Sequence, residues 1–350
     1  MHLLPKPRKV KAADSRHTIV FIALTAMIAV LFPTMLSVGA VDIPLSEVWK
    51  ALTDGETQRR SWFVIVTQTR FPAACAAAFS GAALAVAGLL LQTAFNNPLA
   101  GPSILGVSTG SSLGVAIVML AIGGAGGFAA HSAVLGGALI GAIAVMILLV
   151  ALSSLVRSAT MLLIVGILIG YLSSSAISLL NFFATQEGVH SYVIWGLGNF
   201  YGIPVPELPW FCGLTGLLLI LSLLFIKPLN ALLLGERYAE NIGVRAVRVR
   251  NGLLLLSGAL TAVITAWCGP IGFIGLVVPH IARLATGTSN HVILLPATIL
   301  AGAVIGLICA VVSVLPASHG IIPVNAITPI IGVPVIIYII LRRRKIFYFN

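Results

Sequence analysis

Charged residues are scarce in this chain: Asp, Glu, Lys and Arg make up 8% of its 350 residues. A soluble globular protein carries about a quarter. Apolar residues reach 59%, and the mean hydropathy is +1.10. So much apolar surface does not fit inside a water-soluble core with so few polar groups to cover it. The composition therefore excludes a soluble protein and predicts an integral membrane protein.

The chain also lacks a cysteine pattern that binds metal or forms a redox motif. Its four cysteines stand singly inside apolar runs, with no C-x-x-C spacing. We interpret Cys75, Cys212, Cys268 and Cys309 as small buried apolar side chains.

Motifs for ATP binding and hydrolysis are absent as well. None of the six lysines follows a glycine, so no G-x-x-x-x-G-K-[ST] loop exists to hold phosphates. His131, His280 and His319 lie unpaired near span ends without an H-E-x-x-H pattern, and we interpret them as structural. The sequence predicts a chain that is not an enzyme and that itself binds no cofactor and no metal.

All nine acidic residues lie outside the long apolar runs. A carrier driven by an ion gradient usually needs an ionisable group inside the membrane to bind the coupling ion. This distribution disfavours a gradient-driven carrier, and any power for transport is expected to come from another chain.

The apolar runs predict an all-α integral membrane protein with about ten transmembrane helices. The first run has a basic flank but is as long as a span, so we expect it to be retained rather than cleaved as a signal peptide. Residues 1–17 and 343–350 are predicted to be basic cytoplasmic tails around a single transmembrane domain, 18–342. The seventh and eighth runs are broken by Gly269-Pro270 and form either two crossings or a re-entrant pair. The predicted spans are 18–38, 71–94, 104–122, 132–152, 159–184, 210–226, 252–267, 271–285, 292–314 and 324–341.

Positive charge decides the predicted orientation. With ten crossings and a cytoplasmic N-terminus, sixteen of the twenty Lys and Arg residues face the cytoplasm. The other four, Lys50, Arg59, Arg60 and Arg70, face outward. Positive residues are enriched in cytoplasmic segments, so we expect both termini to be cytoplasmic. The same distribution explains the net charge of +11 without nucleic acid as a partner.

The first of three irregular stretches runs from Gln92 to Gly110 and contains two prolines, an Asn pair and repeated glycines. Such residues break a helix, and non-helical backbone at membrane depth is tolerated only against protein or a water-filled cavity. We therefore predict that this stretch borders the translocation path. The candidate path or gate residues are Asn97, Pro98, Leu105, Gly106, Ser108, Thr109 and Gly110.

The second stretch, 235–244, is predicted to be a short amphipathic cytoplasmic helix that ends at Gly243. The enrichment of positive residues in cytoplasmic segments explains the arginines that follow this helix. It does not explain a helix between two glycines that carries apolar residues, and we interpret this helix as a docking surface. Its candidate residues are Gly235, Glu236, Arg237, Tyr238, Ala239, Ile242 and Gly243.

The third stretch, 269–283, contains three glycines and two prolines. This composition predicts a bent, thin helix, and a packing kink is its simplest interpretation.

Together the three stretches resemble the FecCD-type permease family, the membrane subunits of ABC importers for ferric siderophores, haem and cobalamin. Three patterns carry the resemblance, in the family's order, over about residues 18–342. They are Asn-Pro-Leu-Ala followed by Leu-Gly-Val-Ser-Thr-Gly, Gly-Glu-x-x-Ala-x-x-x-Gly-Val, and Gly-Pro-Ile-Gly-Phe-Ile-Gly-Leu-Val-Val-Pro-His-Ile-Ala-Arg. A Gly-x-Pro in the last span, at Gly332 and Pro334, also matches.

The resemblance implies ten spans per subunit and a homodimer in the bacterial inner membrane, with the path along the dimer axis. It also implies two cytoplasmic ABC ATPase subunits, which use ATP and Mg²⁺, and a periplasmic or lipid-anchored substrate-binding protein. In the family, arginines near the periplasmic ends of spans meet acidic residues of the binding protein. Arg70, Arg59 and Arg60 are therefore the candidate docking residues.

Four positions depart from the family's pattern. Ala73 replaces the second arginine of Arg-x-Pro-Arg, and Gly101 stands where an acid is common. An Asp usual near the end of the ninth span is missing around 311–314, and Asn325 replaces a usual glycine. These departures concern the positions that affect docking of the partner proteins and the identity of the substrate.

The sequence therefore predicts a permease subunit of an ABC importer for a metal chelate, with a gradient-driven carrier or channel as the alternative and a membrane enzyme as a remote third. It does not distinguish a ferric siderophore from haem or cobalamin. A path of small and apolar residues suits a bulky chelate, whereas a bare hard cation needs fixed oxygen ligands.

Overall fold

The structure is a computed structural model that describes residues 7–53, 55, 57–121, 128–156, 159–316 and 320–342. The described residues are almost entirely helical. The helices are α1 (Pro7–Ser37), α2 (Leu45–Thr53), α3 (Arg60–Ile65), α4 (Phe71–Ala94), α5 (Val107–Ala116), α6 (Phe128–Leu155), α7 (Ala159–Phe183), α8 (Gln186–Gly196), α9 (Leu208–Leu223), α10 (Ile226–Leu232), α11 (Glu236–Asn241), α12 (Ala246–Cys268), α13 (Ile274–Thr286), α14 (His291–Val314) and α15 (Val324–Arg342). Single π-helical turns follow α3 (Val66–Arg70) and α5 (Ile117–Ala121), and 3-10 turns precede α5 (Pro102–Leu105) and α9 (Val205–Glu207).

Within these described ranges, seven helices are long and apolar enough to cross a membrane: α1, the continuous helix of α3 and α4, α6, α7, α9, α12 and α14. Three shorter apolar helices contain α5, α13 and α15. The prediction of about ten hydrophobic helices in a multi-pass membrane protein is therefore confirmed.

Several boundaries differ from the prediction. The second span begins at Arg60 rather than at residue 71, because a π-helical turn joins α3 to α4 without a break. The third span is divided at Gly106, whose φ of +76° ends the 3-10 turn before α5. The sequence did not predict the short helices α2, α8 and α10, because none of them is long enough to give a membrane signal.

The seventh and eighth spans are unequal. The 23-residue helix α12 has the length of a full crossing, whereas α13 has 13 residues. At 1.5 Å per residue α13 is about 20 Å long, shorter than the roughly 30 Å hydrocarbon core. The non-helical segment 269–273 lies between them.

Helix α4 occupies the centre of the bundle and contacts α9, α12, α13 and α14. Its contact with α14 depends on glycine, since a Cβ at Gly302 would lie 2.4 Å from the carbonyl oxygen of Gly81. A Cβ at Gly306 would lie 2.1 Å from the oxygen of Ala77. Close backbone approach through small residues is how membrane helices associate.

Helices α4 and α12 run in opposite directions. Ser80 of α4 contacts Cys268 at the end of α12, with 3.4 Å between Oγ and Sγ, and Ser257 donates to the Ala87 carbonyl at 3.1 Å. The bundle therefore has two ends, called here the Arg70 end, where α4 begins, and the α11 end, where α12 begins. The predicted C-terminal tail 343–350, Arg157 and His319 lie outside the described residues.

Candidate functional site

Two of the three irregular stretches meet around an open cavity of about 320 Å³. The first stretch contributes hydroxyl groups, and the third contributes the backbone segment that precedes α13. The last helix closes the remaining side. The lining residues are Ser103, Ser108, Thr109, Ser112, Pro270, Ile271, Gly272, Phe273, Asn325 and Pro329.

The backbone before α13 has a conformation that side chains rarely tolerate. Gly269 has a φ of +74°, and a Cβ there would lie 2.5 Å from the Trp195 carbonyl oxygen. Phe273 also has a positive φ, +66°, although it is bulky. This conformation costs an L-residue roughly 1–2 kcal/mol. Such strain is typical of functional segments, and the half-exposed Phe273 ring lines the cavity.

Asn325 holds this segment in place. Its side-chain nitrogen donates to the Pro270 carbonyl at 2.6 Å and to the Gly196 carbonyl at 3.2 Å. Its side-chain oxygen accepts from the Gly272 N–H at 3.0 Å. One amide therefore joins the start of α15 to the end of α8 and to the segment before α13. The sequence identified Asn325 only as a departure from the family, although a lone amide early in an apolar span was the signal for this role.

The predicted gate residues lie in three different places. Ser108 and Thr109 line the cavity. Leu105 is buried, and Gly106 and Gly110 pack against α7 and α6, since a Cβ at Gly110 would lie 2.3 Å from the Val145 side chain. Asn97 and Pro98 are at the α11 end.

Polar contacts fix the turn at Asn97 and Pro98 and the neighbouring end of α4. The Asn97 carboxamide oxygen accepts from the Leu99 N–H at 2.9 Å, and the Pro98 carbonyl is 2.8 Å from His280 Nε2. Nearby, Arg283 donates to the Gln92 side chain at 2.9 Å, and Gln92 donates to the Leu276 carbonyl at 3.1 Å. These bonds join the end of α4 to α13. The sequence did not predict them, because their partners are far apart along the chain.

The short helix predicted between Gly235 and Gly243 is present as α11. The two glycines have φ values of +98° and +89°, and a Cβ at either would meet no other atom within 4 Å. Backbone conformation rather than crowding therefore explains both glycines.

Helix α11 has one buried side and one exposed apolar side. Ala239 is fully buried, whereas Tyr238 is 51% and Ile242 is 55% exposed. Leu234, just before the helix, is also exposed, as is Arg237. The geometry is that of a small rigid element with an apolar surface turned outward.

Arg70 has a place that the sequence did not predict. Its guanidinium donates to the carbonyls of Leu36 and Ser37, both at 2.8 Å, and to that of Val41, and the residue is 5% exposed. The Leu36 carbonyl lies in the last turn of α1 and has no helical partner. The Ser37 carbonyl also accepts from the Ile43 N–H, and Val41 lies in the segment that follows the helix. Arg70 therefore caps α1, next to a cavity of about 400 Å³ lined also by Tyr201. Burial raises the pKa of Tyr201 to about 12.

Arg59 and Arg60, in contrast, are exposed. The Arg59 guanidinium stacks 5.2 Å from the centre of the Trp62 ring. Of the three predicted docking arginines, these two offer their charge at the surface of the Arg70 end.

One interpretation from the sequence is wrong: His280 contacts the Pro98 carbonyl, and His131 is not unpaired either. Its Nε2 lies 3.2 Å from Glu207 Oε2, which also accepts from the Trp267 indole at 2.8 Å. The acid precedes α9, 76 positions from the histidine, so spacing gave no sign of the contact. The pair connects the start of α9 to α6 and α12.

The sequence and the overall fold match those of known transporters. The family model described as the FecCD transport family matches residues 25–342. The chain belongs to the FecCD transport family. The resemblance to FecCD-type permeases found in the sequence is thereby confirmed.

Relatives of this FecCD chain cover it almost completely. Vitamin B12 import system permease protein BtuC from Salmonella paratyphi A is 35% identical over 333 residues, which covers 92% of this chain and 95% of the relative. The protein of that name from Salmonella typhi has the same identity and coverage. A solved structure described as an inward-facing conformation of a metal-chelate type ABC transporter has a TM-score of 0.81 at 29% identity, covering 93% of this chain and 99% of that one.

Proposed function

We propose that this FecCD chain is the permease subunit of an ATP-driven ABC importer that moves a metal chelate across the bacterial inner membrane into the cytoplasm. The observation that carries the proposal is the cavity between the two irregular stretches of a FecCD bundle. Non-helical backbone at membrane depth is tolerated where it borders such a cavity. The match over residues 25–342 supports assigning the path to this place.

The lining of the cavity favours a chelated metal over a bare one. Hydroxyl groups, one carboxamide and apolar side chains face it, and none of its lining residues is charged. A hard cation would need fixed oxygen ligands, usually carboxylates. A ferric siderophore, haem or cobalamin brings its own ligands and requires only a neutral surface.

The chain requires partners for power. Its sequence has no phosphate-binding loop, and we infer that two cytoplasmic ABC ATPases hydrolyse ATP with Mg²⁺ while two copies of this chain form the path. A substrate-binding protein would deliver the chelate from the periplasm. This assembly places the α11 end and both termini in the cytoplasm.

Helix α11 is proposed to receive force from the ATPase. Its outward apolar surface, formed by Leu234, Tyr238 and Ile242, is suited to a protein partner. The ion pair between Glu236 and Arg250 joins the helix to α12. At the opposite end, Arg59 and Arg60 are proposed to meet acidic groups of the binding protein. Such rim pairs mainly set association rate and register.

A reconstitution experiment tests the proposal. Liposomes containing this chain, its partner P-loop ATPase and the substrate-binding protein of the same importer should take up radiolabelled ferric siderophore, haem or cobalamin only with ATP. The chain alone should hydrolyse ATP at background rate. Uptake driven by a proton or sodium gradient without the ATPase would instead support the gradient-driven alternative.

A further inference from the structure

An open groove of about 580 Å³ runs along α9 at the Arg70 end of the bundle. One face of α9 forms most of the groove, and the residue before the last of α12 forms the opposite wall. A Cβ at Gly213 would meet no atom within 4 Å, so this glycine keeps the middle of the groove open. The lining residues are Pro209, Trp210, Gly213, Leu214, Leu217 and Trp267.

Two contacts fix the Trp267 ring that forms this wall. Its indole N–H donates to Glu207 Oε2 at 2.8 Å, and the Phe211 ring packs against it with 5.9 Å between the ring centres. A ligand that enters a site with fixed walls orders few side chains and so binds at a lower entropic cost. The volume of the groove is also within the range of about 300–1,000 Å³ that is usual for ligand sites.

The position of the groove along α9 matches the depth of one lipid molecule. Trp210, at the start of the helix, is 77% exposed, and an exposed tryptophan at a helix start is typical of the membrane interface. Leu217, at the other end of the groove, lies seven positions later, or about 10 Å along the helix. The groove therefore begins at the level of the lipid headgroups and reaches into the hydrocarbon region.

An acidic side chain lies at the headgroup end of the groove. Glu207 precedes α9 by one position, and its side chain is 17% exposed. Its contacts with Trp267 and with His131 Nε2, at 3.2 Å, both use the same oxygen, Oε2. An ionised carboxylate offers about four acceptor positions on its two oxygens. Glu207 therefore has the capacity to accept from a further donor.

Basic residues are absent from the sequence that forms this part of the bundle. No Lys or Arg occurs between Arg157 and Lys227 or between Arg250 and Arg283. Helix α4 also packs against α9, but its Arg70 donates to carbonyls at the end of α1. The end of the groove therefore presents a carboxylate, and this charge favours a positive headgroup over an anionic one.

We propose that the groove binds one phospholipid, with an acyl chain against α9 and Trp267 and the ammonium of an ethanolamine headgroup at Glu207. Most of the α9 span is not buried inside the bundle, and its exposed surface continues past the groove at Ile220. The bound chain is therefore continuous with the lipid that covers the rest of α9. It contacts both α9 and α12 and so joins the two helices.

The test measures quenching of tryptophan by lipids that carry bromine on their acyl chains. The full chain with Trp49→Phe, Trp62→Phe and Trp195→Phe keeps only the two groove tryptophans. In liposomes, brominated phosphatidylethanolamine should reach half-quenching at a mole fraction about threefold lower than brominated phosphatidylglycerol with the same chains, a factor that a partly exposed ion pair supplies. Glu207→Gln keeps an acceptor for the Trp267 indole and should remove this preference.

A matched pair of leucine variants locates the lipid. Gly213→Leu should fill the groove and weaken quenching by both lipids. Gly136→Leu of α6, where an added Cβ also meets no atom within 4 Å, should leave both curves unchanged. In native mass spectrometry, the wild-type chain should retain one phosphatidylethanolamine from an equal mixture of the two lipids, and Gly213→Leu should retain none.

Three results would overturn the inference. The first is a half-quenching mole fraction for phosphatidylglycerol equal to or below that for phosphatidylethanolamine. The second is a preference that survives Glu207→Gln, and the third is an equal effect of Gly213→Leu and Gly136→Leu. Because neither measurement needs transport, the outcome is independent of whether the proposed function is correct.

Discussion

Arg250 of α12 and Glu236 of α11 form an ion pair, with 3.4 Å between Nη1 and Oε1. The arginine side chain is 2% exposed and the glutamate 48%. Within the described part of the chain, Nε and Nη2 of Arg250 have no hydrogen-bond partner. A buried charge is costly unless it is paired. Glu236 therefore anchors α11 to the bundle by neutralising Arg250.

The first prediction concerns this pair. Glu236→Gln should loosen α11, because it leaves Arg250 without its counter-charge. A hydrogen bond to a charged group contributes about 1.5–3 kcal/mol, and the exposure of Glu236 favours the lower value. Hydrogen exchange of Glu236–Asn241 should accelerate about tenfold. Glu240→Gln on the same helix is the matched control, and equal protection in both variants would refute the anchor.

The second prediction concerns Asn325. Asn325→Ala removes two hydrogen bonds to the segment before α13 and one to the end of α8. Each buried group left unsatisfied costs about 1–3 kcal/mol. The melting temperature should fall, and exchange at Ile271 and Gly272 should rise. The exposed Asn241→Ala should change neither quantity. Unchanged exchange in Asn325→Ala would mean that the segment is held by packing alone.

The third prediction separates Arg70 from Arg59 and Arg60. Arg70→Ala should destabilise the bundle by about 1–3 kcal/mol, because the buried Leu36 carbonyl and the Val41 carbonyl lose their hydrogen-bond donor, whereas the Ser37 carbonyl keeps the Ile43 N–H. Arg60→Glu should leave the melting temperature unchanged and slow association with the binding protein at low salt, where charge effects are largest.

The opposite result for stability and association would change the roles given to these arginines. A stable Arg70→Ala variant with slowed association would return the docking role to Arg70. Surface plasmon resonance and a thermal melt on the same samples distinguish the two outcomes.

The fourth prediction concerns helix packing. Gly302→Ala should strongly destabilise the chain, because its Cβ would lie 2.4 Å from a backbone oxygen of α4, which has no side-chain freedom to move away. At Gly213 of α9 no atom lies within 4 Å of an added Cβ. Gly213→Ala should therefore be neutral or slightly stabilising, since alanine favours a helix by up to about 1 kcal/mol. Detergent-solubilised melting curves provide the comparison.

The fifth prediction concerns pH at α2. Hydrogen bonds from Lys50 Nζ and the Gln58 N–H, both at 2.8 Å, lower the pKa of Glu47. Because the pKa of Glu47 is lower in the folded state, the ionised carboxylate stabilises the fold at pH values above its unfolded pKa of about 4.3. This stabilisation is lost as the pH falls through the lower, folded-state pKa. The fluorescence of Trp49, which lies in α2 two positions after Glu47, should therefore change as the pH falls below about 4.3. In Glu47→Gln the transition should be absent, and an identical transition would assign it to another group.

Properties that repeat along the chain were predictable. Apolar length and charge placement gave the number of hydrophobic helices, because a bilayer imposes the same requirement on every span. Glycine and proline indicated the irregular segments at Gly106 and Gly269, since positive φ is a local property. The bounds of helix α11 were predictable for the same reason, because Gly235 and Gly243 border it and both have positive φ.

Pairings between distant residues were not predictable. Burial of Arg70 against the end of α1, the Glu207 contact of His131 and the hydrogen bonds of Asn325 to Pro270 and Gly196 all join positions far apart in sequence. Each depends on which helix faces stand opposite one another. Apolar helices in lipid carry little pattern that distinguishes one face from another, because lipid and protein interior are equally apolar.

The sequence by itself therefore determined that the chain is a helical membrane protein of the FecCD type, with irregular segments between its helices. Only the tertiary structure decided which polar side chains line the cavity and which bond to other helices. Ser108 and Thr109 line the cavity, whereas Arg70 bonds to backbone carbonyls at the end of α1. The physical reason is that a polar group in an apolar bundle must find a partner, and the partner's identity depends on helix register and not on composition.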